Sequence, residues 1–276
     1  MVYLALLILA HFIADFSFQS DDLIKGRKDP NFKVRNRSLL KHVMIHFVTA
    51  VSLALIGILI TQSINLSIFL MLIIIITLMT VTHYAIDAAK YHLDQQLTSQ
   101  KWKALLFLLD QLLHLIIITI PFIYLMQSFH IVNNGFDYWI IILILIYLNT
   151  VVASHFLQIV LEKITPPNTM EQIVEEEVDR QEKDEDPQVH TVITRSKTSY
   201  PDSNHKIGRY IGMLERTLIM MFVFSNQVMG ITIILAIKSI TRFKQFEDKR
   251  FAEYYLIGTL LSMIIGIMFG YLAGLI

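Results

Sequence analysis

Ten histidines and no cysteine stand in this 276-residue chain. Five of those histidines fall into a pattern with three aspartates. His11 and Asp15 are four residues apart, as are His42 and His46, His83 and Asp87, and Asp110 and His114. On an α-helix, positions i and i+4 share a face, so each pair aims two side chains in one direction. Neutral imidazole and carboxylate together form the ligand set of zinc, manganese, iron and nickel sites. With cysteine absent, a thiolate zinc site, an iron–sulfur cluster, a disulfide framework and a Cys nucleophile are all excluded.

The elements that carry these pairs are membrane spans. Apolar residues make up 54% of the chain and charged residues only 17%, against about 25% charged in a soluble domain. Residues 48–60 and 66–81 contain no charge at all. This composition excludes a soluble enzyme, a nucleic-acid module and a disordered tail. A spanning helix needs about 20 apolar residues, and that window gives spans at 2–20, 42–62, 66–88, 104–126 and 138–160, with further apolar stretches at 217–237 and 254–275. The first span has no basic n-region and no small-residue cleavage site, and is expected to stay as an anchor. The expected fold is all-α: a polytopic transmembrane helical bundle of six to seven membrane segments with a cytoplasmic acidic loop.

Lysine and arginine bias sets the orientation of short loops. The first loop holds Lys25, Arg27, Lys28, Lys33, Arg35, Arg37 and Lys41, and the third holds Lys90, Lys101 and Lys103. The second and fourth hold no basic residue. The expectation is a multi-pass protein of the cell membrane, with its N-terminus outside and the basic first loop in the cytoplasm. Three regions follow: a five-span membrane domain over 1–161, an acidic cytoplasmic loop over 162–206, and a C-terminal membrane segment over 207–276. The acidic loop is too polar to bury a core and is expected as a mobile linker, or else a short charged helix over 169–183. It is also the place where a soluble partner would dock. Within 217–237, a full crossing would place Lys238, Arg242, Lys244, Lys249 and Arg250 outside, against the bias. A bent re-entrant or interfacial hairpin is therefore favoured over a sixth crossing.

The topology places all four pairs at similar depth in the cytoplasmic leaflet, although the orientation argument used none of them. Ionisable groups in the hydrocarbon region cost about 2.5–3.5 kcal/mol each, so they face the bundle interior and find partners. The three aspartates have no full Arg or Lys partner in their spans, and a divalent metal would supply the missing cation. His11, Asp15, His42, His46, His83, Asp87, Asp110 and His114 are the candidate ligands. Eight exceed what one ion takes, so the site is expected to hold one or two ions, zinc or manganese, or to include residues that orient ligand histidines. A metal-free polar network and a proton pathway are the competing readings. Gln19 and Lys90 continue two of the stripes, but Lys near a helix end usually snorkels. His92, His130, His190 and His205 fall in loops, and His155 with Gln158 borders the site. Gly266 and Gly270 have the spacing of a close helix contact. The basic stretch 25–41 fits topology signalling and anionic-lipid contact better than nucleic acid.

The stretches H-F-I-A-D-F-S-F-Q-S-D (His11–Asp21), H-V-M-I-H (His42–His46), T-H-Y-A-I-D (Thr82–Asp87) and D-Q-L-L-H (Asp110–His114) resemble the bacterial membrane family catalogued as domain of unknown function 3307. So do G-R-Y-I-G-M-L-E-R (Gly208–Arg216), K-S-I-T-R-F (Lys238–Phe243) and E-Y-Y-L-I-G-T-L-L-S (Glu253–Ser262), which look like the tail of its longer members. The resemblance covers nearly everything except the acidic insertion and implies no chemistry of its own.

Three functions remain open at this point. The first is a metal-dependent membrane hydrolase of a lipid or lipid-linked substrate, with no general base assigned. The second is a transporter of a divalent cation or protons, which the apolar outer halves of spans one to four disfavour. The third is a non-catalytic membrane subunit with a structural metal site. The sequence does not fix the oligomeric state.

Overall fold

The computed structural model describes residues 1–62, 65–96, 99–126, 135–165, 169–177, 191–199 and 203–276. The N-terminal part contains α1 (Val2–Phe16), α2 (Asp21–Arg27), α3 (Phe32–Thr61), α4 (Leu66–Gln96) and α5 (Gln100–Met126). The fifth span runs from α6 (Phe136–Tyr147) through a π-helical turn (Leu148–Val152) into α7 (Ala153–Leu161). The C-terminal part contains α8 (Ser203–Phe224), α9 (Met229–Thr241), a 3-10 turn (Phe243–Glu247) and α10 (Lys249–Gly274). Among the described residues, five helical segments are long and apolar enough to cross a bilayer, or six if α1 and α2 count as one broken span. Apart from one pair of strands in the acidic region, the helical membrane bundle expected from composition is what the described residues form.

The first span differs from expectation. Instead of running to residue 20, α1 stops at Phe16 and the chain turns by 88° into α2. Local polar chemistry ends the helix. The Gln19 amide donates back to the Asp15 carbonyl (2.5 Å) and carboxylate (3.1 Å), and Ser20 Oγ caps α2 by accepting from the Leu23 N–H. The next three helices are longer than expected. The 30 residues of α3 and 31 of α4 make rods of about 45 Å, against a hydrocarbon core of about 30 Å. Their other ends are apolar, so the surplus turns lie at residues 32–41, 87–96 and, on α5, 100–109. Asn31 starts α3 by accepting from the Lys33 N–H.

α1 is the central element, buried along nearly its whole length. It packs between α3 and α6, with α4 and α5 closing the bundle. Tyr3, Leu7, Leu72, Ile75 and Ile76 fill the middle at 1% exposure or less, and the Tyr3 hydroxyl reaches Thr61 Oγ1 at 2.8 Å. Gly57 lets α1 approach, since a Cβ there would meet the Tyr3 ring and Leu6 at 2.9 Å.

The C-terminal part forms a helical hairpin against α10. The turn at Ser225–Val228 includes Asn226 with φ +56°. Glu215 and Lys238, equally far from that turn along the chain, meet at 2.6 Å, so the two arms return to the same end. The Gly266/Gly270 spacing marks a close contact, because a Cβ on Gly270 would come within 2.9 Å of the Met220 carbonyl. α8 is fastened to the fifth span by Arg216, only 2% exposed. Its guanidinium donates to the Asn149 (2.6 Å) and Thr150 (3.0 Å) carbonyls in the π-turn and to the hydroxyls of Ser154 (2.5 Å) and Ser262 (3.2 Å).

The acidic region, expected as a mobile linker or a short helix, contains two described strands. β1 (Thr169–Glu177) and β2 (Thr191–Ser199) pair antiparallel, Thr169 opposite Ser199 and Glu177 opposite Thr191. β2 is rich in β-branched residues, which favour the extended chain, and the register sets Glu171 opposite Lys197. The rest of the acidic run, 178–190, lies outside the described residues.

Candidate metal centre

The eight candidate residues come together from four helices. α1 supplies His11 and Asp15, α3 His42 and His46, α4 His83 and Asp87, and α5 Asp110 and His114. All five imidazoles are at least nine-tenths buried. Their rings form one cluster, with centroids 4.0 Å apart for His46 and His83, 4.2 Å for His83 and His114, 4.6 Å for His42 and His46, and 4.9 Å for His11 and His114.

Two groups could each surround a cation: Asp15, His42, His46 and His83, and beside it His83, Asp87 and His114. In the first, Asp15 Oδ1 lies 3.3 Å from both His42 Nε2 and His46 Nε2, and His42 Nε2 lies 3.2 Å from His83 Nε2. A tetrahedral zinc site with ligands at about 2.0–2.1 Å has edges of about 3.3–3.4 Å, so these separations fit a single ion. In the second group, His114 donates from Nδ1 to the Asp110 carbonyl at 2.8 Å. That bond fixes the tautomer and leaves the lone pair on Nε2, a buried atom with no hydrogen-bond partner among the described residues. His42 is less well oriented, since its buried Nδ1 also lacks a partner.

His11 and Asp110 stand next to these groups. The amide oxygen of Gln111 can only accept, so His11 Nε2 donates to it (3.3 Å) and that nitrogen is engaged. Asp110 is bound by the Lys90 ammonium at 2.5 Å and by the Gln111 amide at 3.3 Å. Lys90 therefore does not snorkel away. Asp87 accepts from Arg27 at 3.0 Å. This corrects the expectation that all three aspartates lack a basic partner, because a cation reaches Asp87 from α2 and Asp110 from α4. Only Asp15 is met by imidazoles and amides alone, with Gln111 donating to its Oδ2 at 3.0 Å. Three carboxylates against two cations leave the cluster with one excess negative charge when its imidazoles are neutral.

Gln111 and Arg27 are the residues that sequence reasoning missed. Gln111 links His11, Asp15 and Asp110; its one signal is the three-residue spacing to His114. Arg27 bonds Asp87 and also Gln19 Oε1 at 2.6 Å, but along the chain it is one of seven basic residues in a loop. Gln19, though past the end of α1, stays on the site. His155 is one aromatic ring away, 5.1 Å from Phe16 by centroids, with Nδ1 on the Val151 carbonyl; Gln158 is exposed. His92 lies on α4 rather than in a loop, and His130 and His190 lie outside the described residues.

The surplus turns fix the depth of the cluster. His42 is ten residues into α3, Asp87 nine residues before the end of α4, and Asp110 ten residues into α5. The cluster thus sits where the apolar stretches end, next to α2, whose Arg27 reaches Asp87. On its apolar side is a small cavity of about 20 Å³ lined by His11, His46, His83, His114, Thr80 and apolar side chains, which is room for one water. Beyond it the bundle is closed by Ile75, Ile76 and Leu72.

The family model described as a protein of unknown function (DUF3307) matches residues 3–143, just over half of the chain. The match includes every residue of the cluster and stops before the C-terminal hairpin. No curated protein and no solved structure matches the chain.

Proposed function

The chain belongs to the DUF3307 family, and we propose that it is a metal-dependent membrane hydrolase acting on a lipid or lipid-linked substrate. The observation that carries this reading is the group Asp15, His42, His46 and His83, whose ligand atoms lie within 4.8 Å of one another, with Asp15 Oδ1 3.3 Å from His42 Nε2 and His46 Nε2 and His42 Nε2 3.2 Å from His83 Nε2. Three imidazoles and a carboxylate suit zinc or manganese. A bound divalent ion would polarise a carbonyl or phosphoryl oxygen and acidify a water. Asp15, His42, His46 and His83 would hold it, with His114 and Asp87 completing the adjacent group.

The remaining residues position these. Gln111 orients the Asp15 carboxylate, the Asp110 carbonyl sets the His114 tautomer, and Arg27 and Lys90 pair with Asp87 and Asp110. The cavity beside the imidazoles has room for a water next to the cluster, while the apolar plug closes the opposite side. Depth supports a lipid substrate, because a group at the headgroup boundary meets ester and phosphate bonds there. With basic ends facing the cytoplasm, the site belongs to the inner leaflet and the N-terminus to the outside.

A transporter would need polar groups through the far half of the bundle. Among the described residues that half is filled by Leu7, Leu72, Ile75, Ile76, Ile118 and Phe122, which favours chemistry over passage. The test is metal analysis of the purified protein, followed by hydrolysis assays on phospholipids in proteoliposomes. About one divalent ion per chain is expected, lost when His83→Ala is combined with Asp87→Ala, together with metal-dependent turnover. Metal-free wild type, or full retention in the double variant, overturns the metal centre. Metal uptake without turnover assigns the site to transport.

A further inference from the structure

We propose that an exposed basic row on α3, Lys33, Arg37 and Lys41, joined by Lys25 of α2 and Lys28 just after it, binds the headgroup of an anionic glycerophospholipid at the height of the His/Asp cluster. The consequence, that a phosphate-bearing lipid is the substrate class, rests on the hydrolase reading; the binding itself does not.

The row repeats every four residues, so it lies along one face of α3. All three side chains are exposed, and none has an ion-pair partner among the described residues. The same face continues as Met44, Val48, Leu55 and Leu59, each between 46% and 73% exposed. Charge gives way to apolar surface within one turn, between Lys41 and Met44. That change marks the headgroup boundary on the outside of the helix, and His42, wholly buried on the inside, stands at the same height. Basic side chains there lay their stems along acyl chains and hold the charge at phosphate level.

α2 extends the patch sideways. Its 88° turn from α1 lays it across the bundle, and Gly26 packs it onto α3 so closely that a Cβ would run into the Ser38 hydroxyl. Lys25 and Lys28 are exposed, Lys28 reaching Asp94 only at 3.9 Å. Arg27, between them in sequence, faces inward to Asp87 and Gln19. One short helix thus carries cations both on the lipid-facing patch and over the cluster. Anionic headgroups are the complementary occupant, since clustered lysine and arginine beside a span attract them additively.

The test is native mass spectrometry of the detergent-purified full chain titrated with phosphatidylglycerol or phosphatidylcholine, with metal content read on the same samples. Wild type is expected to bind phosphatidylglycerol at least about tenfold more tightly than phosphatidylcholine, less so at high salt. Lys33→Gln with Arg37→Gln and Lys41→Gln should remove that preference while keeping the metal. His83→Ala should keep the preference while losing the metal. Equal binding of the two lipids by wild type, an unaltered preference in the triple variant, or displacement of the lipid by millimolar inorganic phosphate would overturn the proposal. Absence of metal from every sample would overturn the hydrolase reading and leave the lipid site standing.

Discussion

His83 Nε2 sits 3.2 Å from His42 Nε2, and the Asp87 carboxylate is 3.6 Å from the first and 3.3 Å from the second. Two imidazole lone pairs do not face each other at that distance without a proton or a cation between them. A single N–H on His42 would be divided among Asp15 Oδ1, Asp87 Oδ2 and His83 Nε2, whereas a divalent ion held by the first group would meet Asp15, His42 and His83 together. His83 is also common to both candidate groups, which makes it the residue whose loss should cost most.

The first prediction follows from that ranking. His83→Ala and His42→Ala should each weaken metal binding by more than about 100-fold. His11→Ala and Gln111→Leu remove groups that orient rather than hold, and such partners cost about 10–100-fold. Competition against a chelator of known affinity measures all four. Equal losses across the set would contradict the assignment of His11 and Gln111 as positioning residues.

Metal removal should also lower stability. An ion that binds the folded chain at about 100 times its dissociation constant contributes about 2.7 kcal/mol, a shift of several degrees in a chain of this size. Thermal unfolding in detergent with and without chelator reads it. The His83→Ala, Asp87→Ala variant should show no difference between the two conditions; an equal shift there would place the ion elsewhere.

The four-residue spacing of His11/Asp15, His42/His46, His83/Asp87 and Asp110/His114 was legible because helix geometry alone puts each pair on one face, and the charge bias of the loops put all four at one depth. Arg27 was not legible. Its role depends on the break after Phe16, which is produced by Gln19 folding back onto Asp15, and hydropathy carries no signal for that turn. Lys90 was misjudged for a related reason: α4 continues well past its apolar stretch, to Gln96, so its ammonium meets Asp110 on α5. The π-turn at Leu148–Val152 is invisible to periodicity because it shifts the register of one helix by a single residue.

A third prediction concerns that lysine. Lys90→Met leaves the Asp110 carboxylate, 4% exposed, with the Gln111 amide as its main remaining donor. Removing one partner of a buried charge is costly, here about 2–3 kcal/mol. Adding Asp110→Asn should recover most of the loss, since the pair is then removed together. Denaturation midpoints of the two variants beside wild type test it; an additive double variant would show that the ion pair does not hold α4 to α5.

Arg216 gives the last prediction, and it separates fold from site. Its guanidinium makes four hydrogen bonds to Asn149, Thr150, Ser154 and Ser262, while the neighbouring Glu215 pairs with Lys238. π-turns reorganise the local carbonyl ladder, and here two carbonyls of that turn accept from one buried cation. Arg216→Met would leave them without those donors in an apolar setting, at a cost of about 3 kcal/mol or more. Arg216→Lys would restore the charge but not the planar fork that reaches four acceptors, so it should rescue only part of the loss. The hairpin should become protease-sensitive in both, read as cleavage within 203–248, while metal content stays at the wild-type level because the cluster is built from α1, α3, α4 and α5. Loss of the metal along with the hairpin would mean that the C-terminal part holds the cluster together through the fifth span and the Tyr147–Ser17 hydroxyl contact at 2.5 Å.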